Sequence, residues 1–194
     1  MPYVDLAFRL TGSKVPVDHG YALYSAMSRL LPEIHGAKNN IGVHPIRGTY
    51  AGNGELMLRD SSRLVLRLES ERIGEVLKLA GKRLEIDSYN LRVGIPEVRL
   101  LRPRASLYSR LVTIKGFMEA SAFLEAAKRQ LEKIGVKAEI QVGERRTFRI
   151  KDKQVVGFEV AASELDAEDS LRLQEHGLGG RRHMGCGIFL RGGL

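Results

Sequence analysis

Residues 174–189, QEHGLGGRRHMGCGIF, set five glycines around Arg181, Arg182 and His183, between the end of a helical pattern and a last apolar run. Glycine has no Cβ, so Gly177, Gly179, Gly180, Gly185 and Gly187 permit positive φ and let backbone N–H groups approach a ligand. The two arginines and the histidine add charge, and together these features predict a polyanion-binding loop. A turn that merely reverses the chain is the plainer reading of a glycine cluster; the interleaved Arg-Arg-His is what favours anion binding. Spacing excludes two parallel α/β folds. A P-loop needs Gly-Lys followed by Ser or Thr, and residues 184–187 offer none. Gly177-Leu178-Gly179 begins a dinucleotide fingerprint, but Arg182 stands where its third glycine belongs and no βαβ unit follows.

Working outward from this loop, a helix is expected over 166–175 before it and a strand over 188–191 after it. Upstream, 108–114 reads as a strand. Residues 120–134 read as an amphipathic helix with Phe123, Leu124, Ala127 and Leu131 on one face, ended by Gly135. Strands follow at 138–142 and 155–161, joined by 143–153. The first half repeats this order. Residues 3–10 alternate with period two, 18–31 carry a helical pattern with Asp18 as N-cap, and 32–40 turn. Strands are expected at 41–47 and 64–68, the latter after a loop at 48–54 and with 56–58 as a candidate start. Ile73, Val76, Leu77 and Ala80 mark a helix closed by Gly81, and 83–86 with 90–93 form a hairpin turning at 87–88. Residues 96–103, with Arg99 and Arg102, read as a basic connector. Each half is therefore β-α-β-β-α-β, the ferredoxin-like unit. The expected fold is α+β, two tandem ferredoxin-like (RRM-like) domains at 1–98 and 108–194 joined by 99–107, with a single larger α+β domain as the alternative.

The 194 residues are 43% hydrophobic, enough for a real core. Thirty-one basic against 23 acidic residues give a net charge of +8, which favours an acidic partner. No apolar run is long enough to span a bilayer, so nucleic acid outranks membrane. The single cysteine, Cys186, excludes an intrachain disulfide and a cysteine-based zinc site, and the start of the chain has no signal-peptide pattern, so a cytoplasmic location is expected. Aromatics are 6% of the chain with no Trp. That scarcity argues against recognition mainly by stacking bases on a sheet.

The helix followed by G-x-G-G-R-R-x-M-G-C-G-x-F resembles the glycine-rich signature of the CRISPR-associated repeat-cleaving endoribonucleases, the Cas-six family of the RAMP superfamily. The likeness extends to VDLAF and PVDHGYALYSAMSRLLPEIH in the first fifty residues and to SRLVTIKG in the middle, and is nearest the MYXAN subtype. It implies an endoribonuclease that binds CRISPR repeat RNA and cuts precursor crRNA, leaving a 2′,3′-cyclic phosphate and a 5′-OH. The alternative is a RAMP-type subunit that holds crRNA in an effector complex without cutting. A homodimer is a further expectation.

Five histidines, His19, His35, His44, His176 and His183, have the side chain suited to proton transfer near neutral pH. No H-E-x-x-H, Cys-His spacing or carboxylate cluster near a histidine points to a metal, so no metal and no cofactor are expected. The chemistry open to them is metal-free RNA transesterification, in which a base takes the 2′-OH proton, a cation stabilises the phosphorane-like charge and an acid protonates the leaving 5′ oxygen. In the family resembled, the catalytic histidine follows the first helix in a segment like L-H-x-x-K. Ile34-His35-Gly36-Ala37-Lys38 fits that place, which implies His35 for proton transfer and Lys38 as its cationic partner, with His44 as the rival catalyst. His19, at the helix start, reads as structural. A second basic element spans 144–151, and Arg145, Arg146 and Arg149 there, with Lys115, are the remaining RNA-binding candidates. The resemblance implies that such a hairpin serves repeat RNA, against the plainer reading of a solvated charged hairpin.

Overall fold

Strand β1 (Tyr3–Thr11) keeps the alternation expected of it, with Leu6 and Phe8 in a buried core and Asp5 and Arg9 on the other face. In the computed structural model of the protein, which describes residues 2–34 and 40–192, this strand is the centre of the first of two units, Met1–Leu100 and Leu101–Leu194. The small hairpin strands β2 (Lys14–Pro16), β4 (Thr49–Gly52) and β5 (Glu55–Met57) form a separate sheet in the order β2-β5-β4. The main sheet adds β3 (Gly42–Val43), β6 (Arg63–Glu69), β7 (Arg83–Ile86) and β8 (Tyr89–Leu100), in the order β3-β6-β1-β8-β7 with every pair antiparallel. Helix α1 (Gly20–Leu30) buries Leu23, Tyr24, Ala26 and Met27, and α2 (Ile73–Val76) is one turn between 3₁₀ turns at Ser70–Arg72 and Leu77–Leu79. Without β7, the β1-α1-β3-β6-α2-β8 path is the ferredoxin-like unit.

The second unit repeats it. Strands β9 (Leu107–Val112), β10 (Glu139–Ile150) and β11 (Lys153–Ser163) form a sheet in the order β10-β11-β9, with α3 (Ala120–Lys133) and α4 (Ala167–His176) completing the path. Phe123 of α3 meets Phe158 of β11 with ring centroids 4.8 Å apart, in a core that includes Leu131, Val160, Leu178 and Phe189. Asp166 caps α4 by accepting from Asp169 N–H at 2.7 Å. Such a cap contributes about 1 kcal/mol. The strand expected at 188–191 is reduced to one bridge, in which Tyr108 and Leu190 exchange backbone hydrogen bonds at 2.8 and 2.9 Å. Both units are ferredoxin-like, as the element order indicates.

Several elements depart from expectation for identifiable reasons. The loop expected at 48–54 holds β4 and most of a tight hairpin turning at Asn53 and Gly54, both with positive φ, and 56–58 belongs to that hairpin and not to β6. Residues 96–100 of the expected connector are the second half of β8, paired with Val4 to Phe8. Proline reads as a breaker, but a bulge places Gly94 and Ile95 across from Arg9, so Phe8 and Pro96 meet where no ladder N–H is needed. Residues 143–153, expected to join two short strands, are instead mostly strand. A bulge between Val142 and Arg145 absorbs Gly143 and Glu144, and the turn is confined to Lys151 and Asp152, Lys151 taking φ 52°.

Candidate functional site

The glycine loop runs along the free edge of β9. Gly180 N–H donates to Thr113 O at 2.9 Å and Gly187 N–H to Leu111 O at 2.7 Å. Gly179 N–H donates to Gln130 Oε1 of α3 at 2.7 Å, and Gly177 N–H closes α4 on Leu173 O. The amides of Met184 and Cys186 return to Arg181 O, and that of Gly185 to Arg182 O. These donors are all used inside the protein. The glycines serve close backbone approach: a Cβ on Gly177, Gly179 or Gly187 would fall 2.2, 2.3 or 2.0 Å from the carbonyl oxygen of Gly187, Thr113 or Leu178. The amides of all five loop glycines are thus bonded within the protein. Arg182 is buried, with Nη2 3.4 Å from Gln174 O, whereas Arg181, at φ 63°, and His183 are half-exposed.

The loop and the basic hairpin are joined. Met184 and Cys186 pack with Leu111 of β9 and with Phe148, Ile150 and Val155 of β10 and β11. Strand alternation divides the hairpin charges: Arg145, Thr147 and Arg149 are exposed on one face, while Arg146 shares the other with Phe148. Arg146 is committed to Glu159, which its Nε reaches at 2.6 Å, and to Glu144 at 3.2 Å; Glu159 also accepts from the Tyr108 hydroxyl at 2.7 Å. Burial alone would raise the Glu159 carboxyl, but hydrogen bonds from Tyr108 and Arg146 hold it below the usual value. Burial and the same carboxylate push the Tyr108 hydroxyl up to about 12. Arg146 therefore ties the hairpin to its sheet, and Arg145 and Arg149 carry its exposed charge. Lys115 is exposed two residues past Thr113, at the turn where Gly116 takes φ 87°.

In the first unit, His35 and Lys38 lie outside the described residues. His44 follows β3 and is buried, its Nε2 3.3 Å from Asp5 Oδ1. Asp5 is gripped by Arg67, Nε to Oδ1 at 2.7 Å and Nη2 to Oδ2 at 2.9 Å, and Arg67 is 1% exposed. Burial would raise the Asp5 carboxyl, yet the hydrogen bonds from Arg67 and His44 hold it well below its ordinary range. Burial pushes the His44 imidazole down, against the opposing pull of Asp5, so the ring is neutral at pH 7. His19 is also buried: its Nδ1 lies 2.7 Å from Pro16 O and its Nε2 accepts from Ile46 N–H at 2.9 Å, which engages both ring nitrogens in holding the loop before α1. The Asp5–Arg67 pair was missed in the sequence, although an acid inside the apolar VDLAF strand is the signal that could have found it.

Among the described residues, no group of three or more His, Cys, Asp or Glu side chains could hold a metal ion, and no helix is long and apolar enough to cross a membrane.

The Cas6 Crispr family model matches residues 4–192. A CRISPR-associated endonuclease Cas6 from Myxococcus xanthus (strain DK1622) is 46% identical over 190 residues, covering 98% of this chain and 82% of the relative. Among solved structures, a Cas6-related protein from Pyrococcus furiosus aligns with a TM-score of 0.70 at 14% identity, covering 97% of this chain and 98% of that one. A RAMP protein binding different RNA substrates aligns with a TM-score of 0.70 at 13% identity, covering 96% and 98%. At such identities these two likenesses speak to the shared fold.

Proposed function

Since this chain belongs to the Cas6 family, we propose that it is a metal-independent endoribonuclease that binds CRISPR repeat RNA and cuts precursor crRNA, the scissile 2′-OH attacking the adjacent phosphate to leave a 2′,3′-cyclic phosphate and a 5′-OH. The near-full-length likeness to an endonuclease carries this reading. His35 is the proposed proton-transfer residue and Lys38 its cationic partner. The geometry of the two other histidines of the first unit supports that choice: His19 has both ring nitrogens engaged, and His44 is buried, neutral and turned to Asp5. In the second unit, Arg145, Arg149, Lys115, Arg181 and His183 form the proposed RNA surface, positioning the backbone without reading bases. The reading carries a cytoplasmic location and a CRISPR effector complex as a partner.

Incubation of the purified protein with its repeat RNA in excess EDTA tests this directly. Cleavage is expected to persist, and a 2′-deoxy substitution at the scissile nucleotide is expected to abolish it while binding stays intact, since only the nucleophile is lost. His35→Ala is expected to slow cutting by about 10² to 10⁴ with RNA affinity unchanged. Activity lost in EDTA and restored by Mg²⁺ would overturn the mechanism, and full activity in His35→Ala would remove that histidine from it.

A further inference from the structure

We infer that the helix-free face of the first sheet carries a track for an RNA backbone, formed by Arg63, Arg9, Arg92 and Arg83 on four neighbouring strands, which takes a part of the repeat away from the cut. The inference rests on the repeat-RNA reading above. The register sets Arg9 of β1 opposite Arg63 of β6, and Arg92 of β8 opposite both Thr11 of β1 and Arg83 of β7. Directly paired residues share a face, and the alternating residues Phe8, Leu64, Val93 and Leu84 lie in the core on the other side. The four guanidinium groups therefore follow a diagonal across β6, β1, β8 and β7, three inter-strand steps of about 4.8 Å.

Arg9, Arg83 and Arg92 are exposed, and Arg63 is half-buried with Nη1 donating to Asp60 O at 2.6 Å and Ser62 O at 2.8 Å. Among the described residues none of the four makes an ion pair. The other two arginines of this face are neutralised, Arg67 by Asp5 and Arg99 by Glu97. Glu97 is held low first by Arg99 and only last by the more distant charges of Arg63 and Arg9, so Arg99 takes most of its pull. Like charges directly opposite one another weaken a sheet. This sheet holds two such pairs side by side, Arg9 with Arg63 and Arg92 with Arg83. A bound polyanion turns that repulsion into attraction, and the planar forks of arginine suit phosphate oxygens. Gly94 keeps the space beside Arg9 open, since a Cβ there would lie 3.1 Å from that of Arg9. The uncharged neighbours of the track are Ala7, Thr11, Val65, Asn90 and Ile95, so no ring is offered for base stacking and the contact is with the backbone, while Glu85, two residues from Arg83, is the carboxylate that β7 adds to the face.

The position along β1 sets the track apart from the end of the strand that Asn40 touches. Asn40, which follows the His35 segment in sequence, donates to the Tyr3 hydroxyl at 2.7 Å. Arg9 lies six residues further along the strand, a distance of about 20 Å at the rise of an extended chain.

The test is the Arg9→Ala, Arg92→Ala double variant, binding two RNAs made uncleavable by a 2′-deoxy scissile nucleotide: the whole repeat and a short fragment around the cut. For the whole repeat, affinity is expected to fall about tenfold or more and the slope of log K against log salt to become shallower by about 1.4, roughly 0.7 for each lost phosphate contact on a single strand. For the short fragment nothing should change. The melting temperature should hold or rise, because a repulsion has been removed. Parent-like binding of the whole repeat across the salt series would overturn the track and leave the face to an acidic protein partner. A lower melting temperature with equal loss on both RNAs would also overturn it, by making the arginines structural. A parent protein that binds the repeat but does not cut it sinks the catalytic reading and leaves this comparison intact; one that binds no RNA sinks both.

Discussion

Replacing Gly179 by Ala should unfold the glycine loop, and the effect follows from distances. Gly179 holds φ 72°. That left-handed conformation costs an L-residue about 1–2 kcal/mol. Its Cβ would lie 2.3 Å from Thr113 O and 3.0 Å from Thr113 C. The loop must therefore retreat from β9 by about 1 Å to restore ordinary contact. That retreat breaks the Gly180 N–H bond to Thr113 O at 2.9 Å and strains the Gly179 N–H bond to Gln130 at 2.7 Å. Each bond contributes about 1 kcal/mol, and with the backbone cost the sum is about 3–4 kcal/mol. A unit of this size shifts by about 4–8 °C for each kcal/mol, so the second unit should melt roughly 12–30 °C lower. Gly180→Ala is the internal control: a Cβ there meets nothing within 4 Å, and its φ is not positive. Its melting temperature should stay within about 2 °C of the parent. Thermal melts of both variants, with repeat-RNA binding measured at a temperature where each is folded, decide the matter. If Gly179→Ala melts with the parent yet loses RNA affinity, the loop amides serve a ligand and their internal bonding is not what the glycine protects.

Three further outcomes follow from the polar networks. Asp5→Asn should destabilise the first unit by about 3–5 kcal/mol at neutral pH, because it leaves the buried Arg67 with a neutral partner; chemical denaturation at fixed pH measures this. Below neutrality the pH profile should slope one way only. His44 is held below its ordinary 6.5 and Asp5 below its ordinary 3.8, so the folded state binds fewer protons than the unfolded state in both windows. Stability should fall below about pH 6.5 through His44 and again below about pH 4 through Asp5. Asp5→Asn should flatten the lower of these slopes. Arg145→Ala should weaken RNA binding and make its salt dependence shallower without changing the melting temperature, whereas Arg146→Ala should lower the melting temperature by stripping Glu159 of its cation; equal effects of the two on binding alone would refute this division of the hairpin.

The element order could be read from the chain because each half carries its own periodicities. The alternation of VDLAF, the helical spacing of Phe123, Ala127 and Leu131, and Gly135 at that helix's end are local signals, and local signals suffice for a unit whose strands are joined by helices and short turns. The misreadings at 96–100 and 143–153 share one cause. Pro96 and Gly143 act as breakers only when the backbone groups that they disturb face a partner strand, and bulges turned both away from that role. A bulge is a property of two strands together, invisible to either alone.

The candidate site divides along the same line. Glycines and charges in the loop were legible as residue types, but the direction of the glycine N–H groups depends on Thr113, Leu111 and Gln130, which are distant in sequence, and those partners take the glycine amides up inside the unit. Arg181 and Arg182 look equivalent in the sequence, yet a left-handed φ at Arg181 sends one side chain outward and leaves the next buried. The same holds for the arginines of β1, β6, β7 and β8. Arg9, Arg63, Arg83 and Arg92 stand far apart in the chain and form no run that a charge pattern could find. Only the register places like charges opposite one another, and a register that does so twice is either a cost in stability with nothing to offset it or a surface shaped for a ligand that carries the opposite charge.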